Sequence, residues 1–117
     1  MTGRFYGRAT SKAGTPMNGT EARYAAHLEG ERLAGRIQLW KVHPFNLRLA
    51  DKTFYRPDFL VVTADWLVEV HEVKGFAHAA GEAKLKIAAE AFPFRFLRVK
   101  RRLVRDGGGW ELTEVGA

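Results

Sequence analysis

Arg56-Pro57-Asp58-Phe59-Leu60-Val61-Val62 and Trp66-Leu67-Val68-Glu69-Val70-His71-Glu72-Val73-Lys74-Gly75 are two apolar runs of strand length, separated by Thr63-Ala64-Asp65. Their richness in valine and their short polar connection predict a β-hairpin with strands over Thr53 to Val62 and Trp66 to Lys74. Centring the turn on Asp65 sets Asp58 opposite Glu72, Leu60 opposite Val70 and Val62 opposite Val68. Side chains alternate along a strand, so these six share one face and Lys74 follows Glu72 on it. The apolar members make this an interior face. Like charges placed opposite one another destabilise a sheet, so Asp58 and Glu72 together require a positive group. A divalent cation suits them, because hard cations take a few carboxylate oxygens plus waters and phosphate oxygens.

About one [DE]-x-K triplet is expected by chance in a chain of this composition, and two occur, Glu72-Val73-Lys74 and Glu82-Ala83-Lys84. The second lies in an Ala-rich helical stretch where residues two apart diverge. Only the first sits on an apolar strand with an acid opposite. The competing reading is a surface salt-bridge cluster of Asp58, Glu72 and Lys74, which stabilises little and has no function.

These residues resemble the PD-(D/E)XK nuclease superfamily, with Pro57-Asp58 as the PD element and Glu72-Val73-Lys74 as the ExK element. Asn18-Gly19-Thr20-Glu21 through Tyr24 resembles the amino-terminal helix that supplies another acidic residue in many members, and the likeness runs from about Asn18 to Arg102. It is closest to small phage-type endonucleases and Holliday-junction resolvases. The resemblance implies a restriction-endonuclease-like α/β core with a mixed sheet, and a Mg2+- or Mn2+-dependent endodeoxyribonuclease using one or two ions. It implies Asp58, Glu72, Glu21 and the backbone carbonyl of Val73 as metal ligands, with Lys74 completing the catalytic set. Lys74 has two open roles: a cation orienting the attacking water, or a general base with a depressed pKa. If the substrate is a four-way junction, its two-fold symmetry implies a homodimer.

Composition agrees with this class of partner. The chain has 117 residues, a net charge of +6 and no cysteine, so disulfides and thiolate metal sites are excluded. No apolar run approaches a membrane span and no signal-peptide pattern opens the chain, so a cytoplasmic protein of a bacterial or phage-infected cell is expected. Arg98, Lys100, Arg101 and Arg102 crowd one late segment. With Lys84, Lys86 and Arg56 they are candidate DNA contacts, since phosphate backbones bind basic patches by counterion release. A solvated strand edge or helix face is the bland reading of the same charges. A non-catalytic nucleic-acid-binding subunit, or a nuclease acting on ordinary duplex DNA, remains the functional alternative.

The remaining pattern predicts a basic arm over residues 1–17 and one domain over 18–117. Thr20 caps a helix over Glu21 to Leu33, stopped near Gly35. On it Glu21 shares a face with Tyr24, Ala25 and Leu28, serving either the helix dipole or the site. Ile37 to Val42 and Phe45 to Leu49 read as one long or bent strand, broken near His43-Pro44. A second helix over Ala79 to Phe92, with Ala83, Ile87, Ala88 and Ala91 apolar, precedes strands over Phe94 to Arg102 and Trp110 to Val115. The expected order is α-β-β-β-α-β-β, with the strand after the second helix parallel to a hairpin strand. His27, His43, His71 and His78 show no zinc-ligand spacing.

Overall fold

The structure, a computed structural model, describes residues 17–73 and 79–116. Lys74, Gly75, His78 and the first sixteen residues of the expected arm lie outside the described residues.

The chain forms a mixed α+β fold. Helix α1 (Gly19–Leu33) is followed by β1 (Ile37–Val42), β2 (Leu47–Ala50), β3 (Thr53–Tyr55), β4 (Phe59–Thr63) and β5 (Val68–Val73). Helix α2 (Ala79–Ala91), β6 (Arg95–Arg101), a short 3-10 turn at Val104–Asp106 and β7 (Trp110–Glu114) complete it. The main sheet runs β1-β4-β5-β6-β7, and β2 and β3 form a separate two-stranded ribbon. Strands β5 and β6, joined through α2, are parallel, while the other neighbours are antiparallel.

The β4–β5 register is the one the hairpin spacing predicts: Leu60 faces Val70 and Val62 faces Val68. Trp66 closes the turn at φ 67°, and the Thr63 and Leu67 backbones bond at 2.8 Å.

Elsewhere the structure corrects the sequence reading. The expected strand over residues 53–62 is interrupted at Arg56–Asp58, because Pro57 lacks an N–H and cannot hold a ladder. The bent strand over residues 37–49 breaks where the sequence places it, near His43-Pro44, but its two parts go to different sheets. His43 adopts φ 43°, turning the chain so that Leu47 pairs with Tyr55 in the ribbon instead of extending β1. The order therefore holds two more strands than expected. Asn18, not Thr20, caps α1: its side chain accepts from the Glu21 N–H, and the Glu21 carboxylate accepts from the Asn18 N–H in return, a reciprocal capping box.

Two cores lie on the two sheet faces. Tyr24, Ala25 and Leu28 of α1 pack on Trp40, Val42, Phe59, Val61, Val73 and Val99. Leu85 and Ala88 of α2, with Leu47 and Tyr55 of the ribbon, pack on Val70 and Phe96. The face carrying Leu60, Val62 and Val68 is thus only partly interior, since those three are half-buried while Phe59 and Val61 on the other face are sealed. Of the apolar positions expected on α2, Ala88 is buried and the other three are not. Leu85, Ala88, Ala89 and Phe92 turn inward, and Ala83, Ile87 and Ala91 are exposed.

Phe59 is 0% exposed and contacts both the Tyr24 and Trp40 rings. Phe59→Ala is expected to cost about 3–5 kcal/mol of stability by urea unfolding. Ile87→Ala, on the outer side of α2, should stay within about 0.5 kcal/mol.

Candidate metal site

The site forms where the β1–β4 and β4–β5 registers continue one residue past their strands. Val42 pairs with Phe59 and Phe59 with His71, so the next residues, His43, Asp58 and Glu72, line up across three neighbouring segments. The His43 N–H donates to the Asp58 carbonyl at 2.8 Å, and the Val73 N–H donates to Asp58 Oδ2, also at 2.8 Å. Register then sets Glu72 beside Arg98 of β6. Glu21 reaches the same spot from the first turn of α1. Ligand atoms of Glu21, His43 and Asp58 all lie within 4.8 Å of one another, so the acid at the helix start serves both its cap and this cluster.

The electrostatics are those of crowded acids. Burial pushes the Asp58 carboxyl up to about 9, and the nearby charges of Glu72 and Glu21, both negative, add to the rise. Burial also lifts Glu72, to about 7; a hydrogen bond from Tyr55 opposes the rise, and Glu21 and Glu82 reinforce it. The Tyr55 hydroxyl donates to Glu72 Oε1 at 2.5 Å. Burial first, and then the Glu72 charge, push the Tyr55 phenol upward, so it stays a donor. Carboxylates gathered this way favour a bound cation, since it replaces mutual repulsion by attraction. Carboxylate oxygens from Glu21 and Asp58, with Glu72 nearby but outside their donor group, suit a hard divalent ion, so the residues present fit a metal such as Mg2+ or Mn2+.

Of the sequence-derived set, Glu21 and Asp58 come together with His43, Glu72 lies outside that donor group though near enough for its charge to raise Asp58, and Lys74 falls outside the described residues. Among the basic candidates, Arg98 is half-buried beside the site and paired with Glu82. Lys100 follows Arg98 on its face by strand alternation and is exposed. Arg101 alternates to the other face, and Arg102 follows β6; both are exposed. Lys84 is half-buried and Lys86 exposed on α2, and Arg56 is exposed with Nε 3.4 Å from Asn46 Oδ1.

Three contributors were not singled out from sequence. His43 is 9% exposed, its Nε2 lies 3.7 Å from Glu21 Oε1, and its buried Nδ1 has no hydrogen-bond partner among the described residues. Its position depends on the pairing of β1 with β4, which leaves no mark in local spacing. Tyr55 joins because the chain folds back at Pro57. Glu82 belongs to the triplet set aside as helical; it is helical, yet the first turn of α2 brings it near enough to raise the Glu72 pKa.

His71 points away from Glu72, as strand alternation predicts. Its Nδ1 is 2.6 Å from the Tyr24 hydroxyl and its Nε2 is 2.9 Å from Glu69. Glu69 in turn pairs with Arg95 at 3.1 Å. This buried chain of contacts ties α1 to β5.

Both site carboxyls hold their protons more tightly in the folded than in the unfolded chain. Without a cation, the stability this confers is full below their ordinary values of 3.8 and 4.5 and is lost as pH rises through about 7 and then about 9. In EDTA, wild-type Tm should therefore fall across that interval. Asp58→Asn, which removes one charge, should flatten the fall and melt above wild type near its upper end, as read by differential scanning fluorimetry.

In comparisons with known proteins, no family model, no curated protein and no solved structure matches this chain.

Proposed function

We propose that the chain is a metal-dependent endodeoxyribonuclease of the PD-(D/E)XK type that hydrolyses phosphodiester bonds, selective for branched DNA such as four-way junctions and active as a homodimer. One observation supports the catalytic part of this reading: Glu21 and Asp58 set donor atoms within 4.8 Å of one another together with His43, and Glu72 lies near enough for its charge to raise the Asp58 pKa. Binding to DNA alone has no use for such an arrangement, since buried acids repel a phosphate backbone unless a cation lies between. The preference for junctions rests on the sequence resemblance.

Asp58, Glu72 and Glu21, with the Val73 carbonyl, would hold Mg2+ or Mn2+. When bound, the ion supplies Lewis-acid stabilisation of the phosphoryl charge and a more acidic water. The chain's own residues prepare for this. The Val73 N–H fixes one oxygen of Asp58, and the Tyr55 hydroxyl fixes one of Glu72, so each carboxylate presents its remaining oxygen in a set direction. The Asn18 N–H holds a Glu21 oxygen at 3.2 Å. Lys74, two residues beyond Glu72 in the sequence, orients the attacking water and stabilises the charge that develops on the phosphoryl oxygens. The exposed Lys100, Arg101 and Arg102 hold the DNA backbone electrostatically.

Cleavage of a labelled four-way junction beside a matched linear duplex, in Mg2+, Mn2+ or EDTA, tests the reading. Symmetric cutting of the junction alone, abolished by EDTA, is expected; equal cutting of both substrates would remove the junction preference, and no cutting with either ion would remove the nuclease. Asp58→Asn and Lys74→Ala should each lower turnover by about 10²–10³-fold or more. Lys74→Ala should leave junction binding in a gel-shift assay largely intact, whereas unchanged turnover in that variant would take Lys74 out of the mechanism.

A further inference from the structure

His43 brings to the site what none of the acids offers, a nitrogen donor. We infer that His43 is a ligand of the divalent cation held by Glu21 and Asp58, and that its imidazole biases the site toward a first-row transition ion such as Mn2+ over Mg2+. The inference rests on the proposed metal site and adds a ligand and an ion preference to it.

Geometry supports it first. Donor atoms of Glu21, His43 and Asp58 lie within 4.8 Å of one another. With bonds of about 2.1 Å, ligands stand roughly 4.2 Å apart across an ion and roughly 3.0 Å apart side by side, so shifts of about 1–2 Å at most, within side-chain reach, close the set around a cation. The second support is the state of the ring. Its exposure is 9%, yet its Nδ1 makes no hydrogen bond among the described residues. Its Nε2 is 3.7 Å from Glu21 Oε1, too far for a hydrogen bond. Buried polar atoms are nearly always partnered. His71, buried to a similar degree, has both ring nitrogens engaged, by Tyr24 and Glu69. His43 thus presents Nε2 toward Glu21 without a hydrogen bond between them and keeps a buried Nδ1 with no partner among the described residues, a ring available to a cation.

The backbone gives the third support. His43 is held at φ 43°, a left-handed conformation uncommon outside glycine, and its N–H is fixed on the Asp58 carbonyl. Strained residues of this kind cluster at ligand sites, where the fold over-determines them. Here the strain fixes the ring against the residue with which it would share the ion.

The ion preference follows from donor chemistry. Mg2+ takes oxygen ligands and retains its waters, whereas imidazole suits the later first-row ions, and N/O sites bind more tightly along the series that Mn2+ opens. Mn2+ accepts carboxylates as readily as Mg2+ does and accepts nitrogen besides.

The test is electron spin-echo envelope modulation on the full chain loaded with Mn2+, with natural-abundance and 15N-histidine-labelled protein. A directly bound nitrogen, altered by the label and absent from His43→Gln, is expected. Displacement of Mn2+ by Mg2+ should show the variant's preference for Mn2+ reduced by about 10–100-fold, at least the loss caused by removing an outer-shell partner. The wild-type spectra do not depend on whether the variant folds, and circular dichroism checks the variant. Bound Mn2+ with no coordinated nitrogen, or with the nitrogen signal retained in His43→Gln, overturns the inference and leaves the metal site standing. Folded wild type that binds neither ion overturns both.

Discussion

The register between β4 and β5 is the constraint on which the rest of the site depends. Side chains alternate, so a slip of one residue would move Asp58 to the face of Phe59 and carry Glu72 away from it. Two sealed cores oppose such a slip from opposite sides. Phe59 and Val61 are locked under α1, and Val70 is locked under α2 and the ribbon. The hydrogen bond from the Val73 amide to Asp58 Oδ2 then marks the end of the pairing. The acids sit together because hydrophobic burial on both faces leaves the hairpin no other alignment, and the energy of that burial offsets their repulsion.

Each face contributes a separate kind of control. From one side, α1 is tied to β5 through the Tyr24, His71 and Glu69 contacts, which fix the height of the helix over the sheet and so the reach of Glu21. From the other side, the ribbon carries Tyr55 to Glu72, and α2 carries Glu82 to Arg98. Glu72 is thus set between a phenol that stabilises its anion and acids that disfavour it. Neither helix is long and apolar enough to cross a membrane.

Local chemistry in the sequence was enough for both helices and for the hairpin, though not for the separate β2–β3 ribbon, because period-two alternation and a short turn fix which residues oppose one another. It also found the meeting of Asp58 and Glu72 and the inward side of α1, where Glu21, Tyr24, Ala25 and Leu28 are all buried. Non-local events were not legible. Pro57 interrupts its strand for lack of an N–H, and although the break near His43-Pro44 could be read, the pairing of the following segment with β3, which brings in Tyr55, could not. On α2 only Ala88 of the expected apolar positions is buried, because an Ala-rich helix has weak contrast around its circumference and Leu85 and Phe92, not Ile87, set its inner side. Glu82 was discounted for being helical, although being helical is compatible with pointing one carboxylate at a neighbouring strand.

The left-handed backbone at His43 also restricts what evolution can try there. Side chains that tolerate such a conformation are chiefly glycine, asparagine and aspartate, with histidine among the enriched few. Asparagine and aspartate both carry oxygen donors on short stems. Drift at this position is therefore channelled: most replacements that keep the chain's path also keep an electron pair at the pocket, trading a nitrogen for an oxygen. Under the proposed metal reading, one such change would alter the donor offered to the ion while leaving the path of the backbone intact.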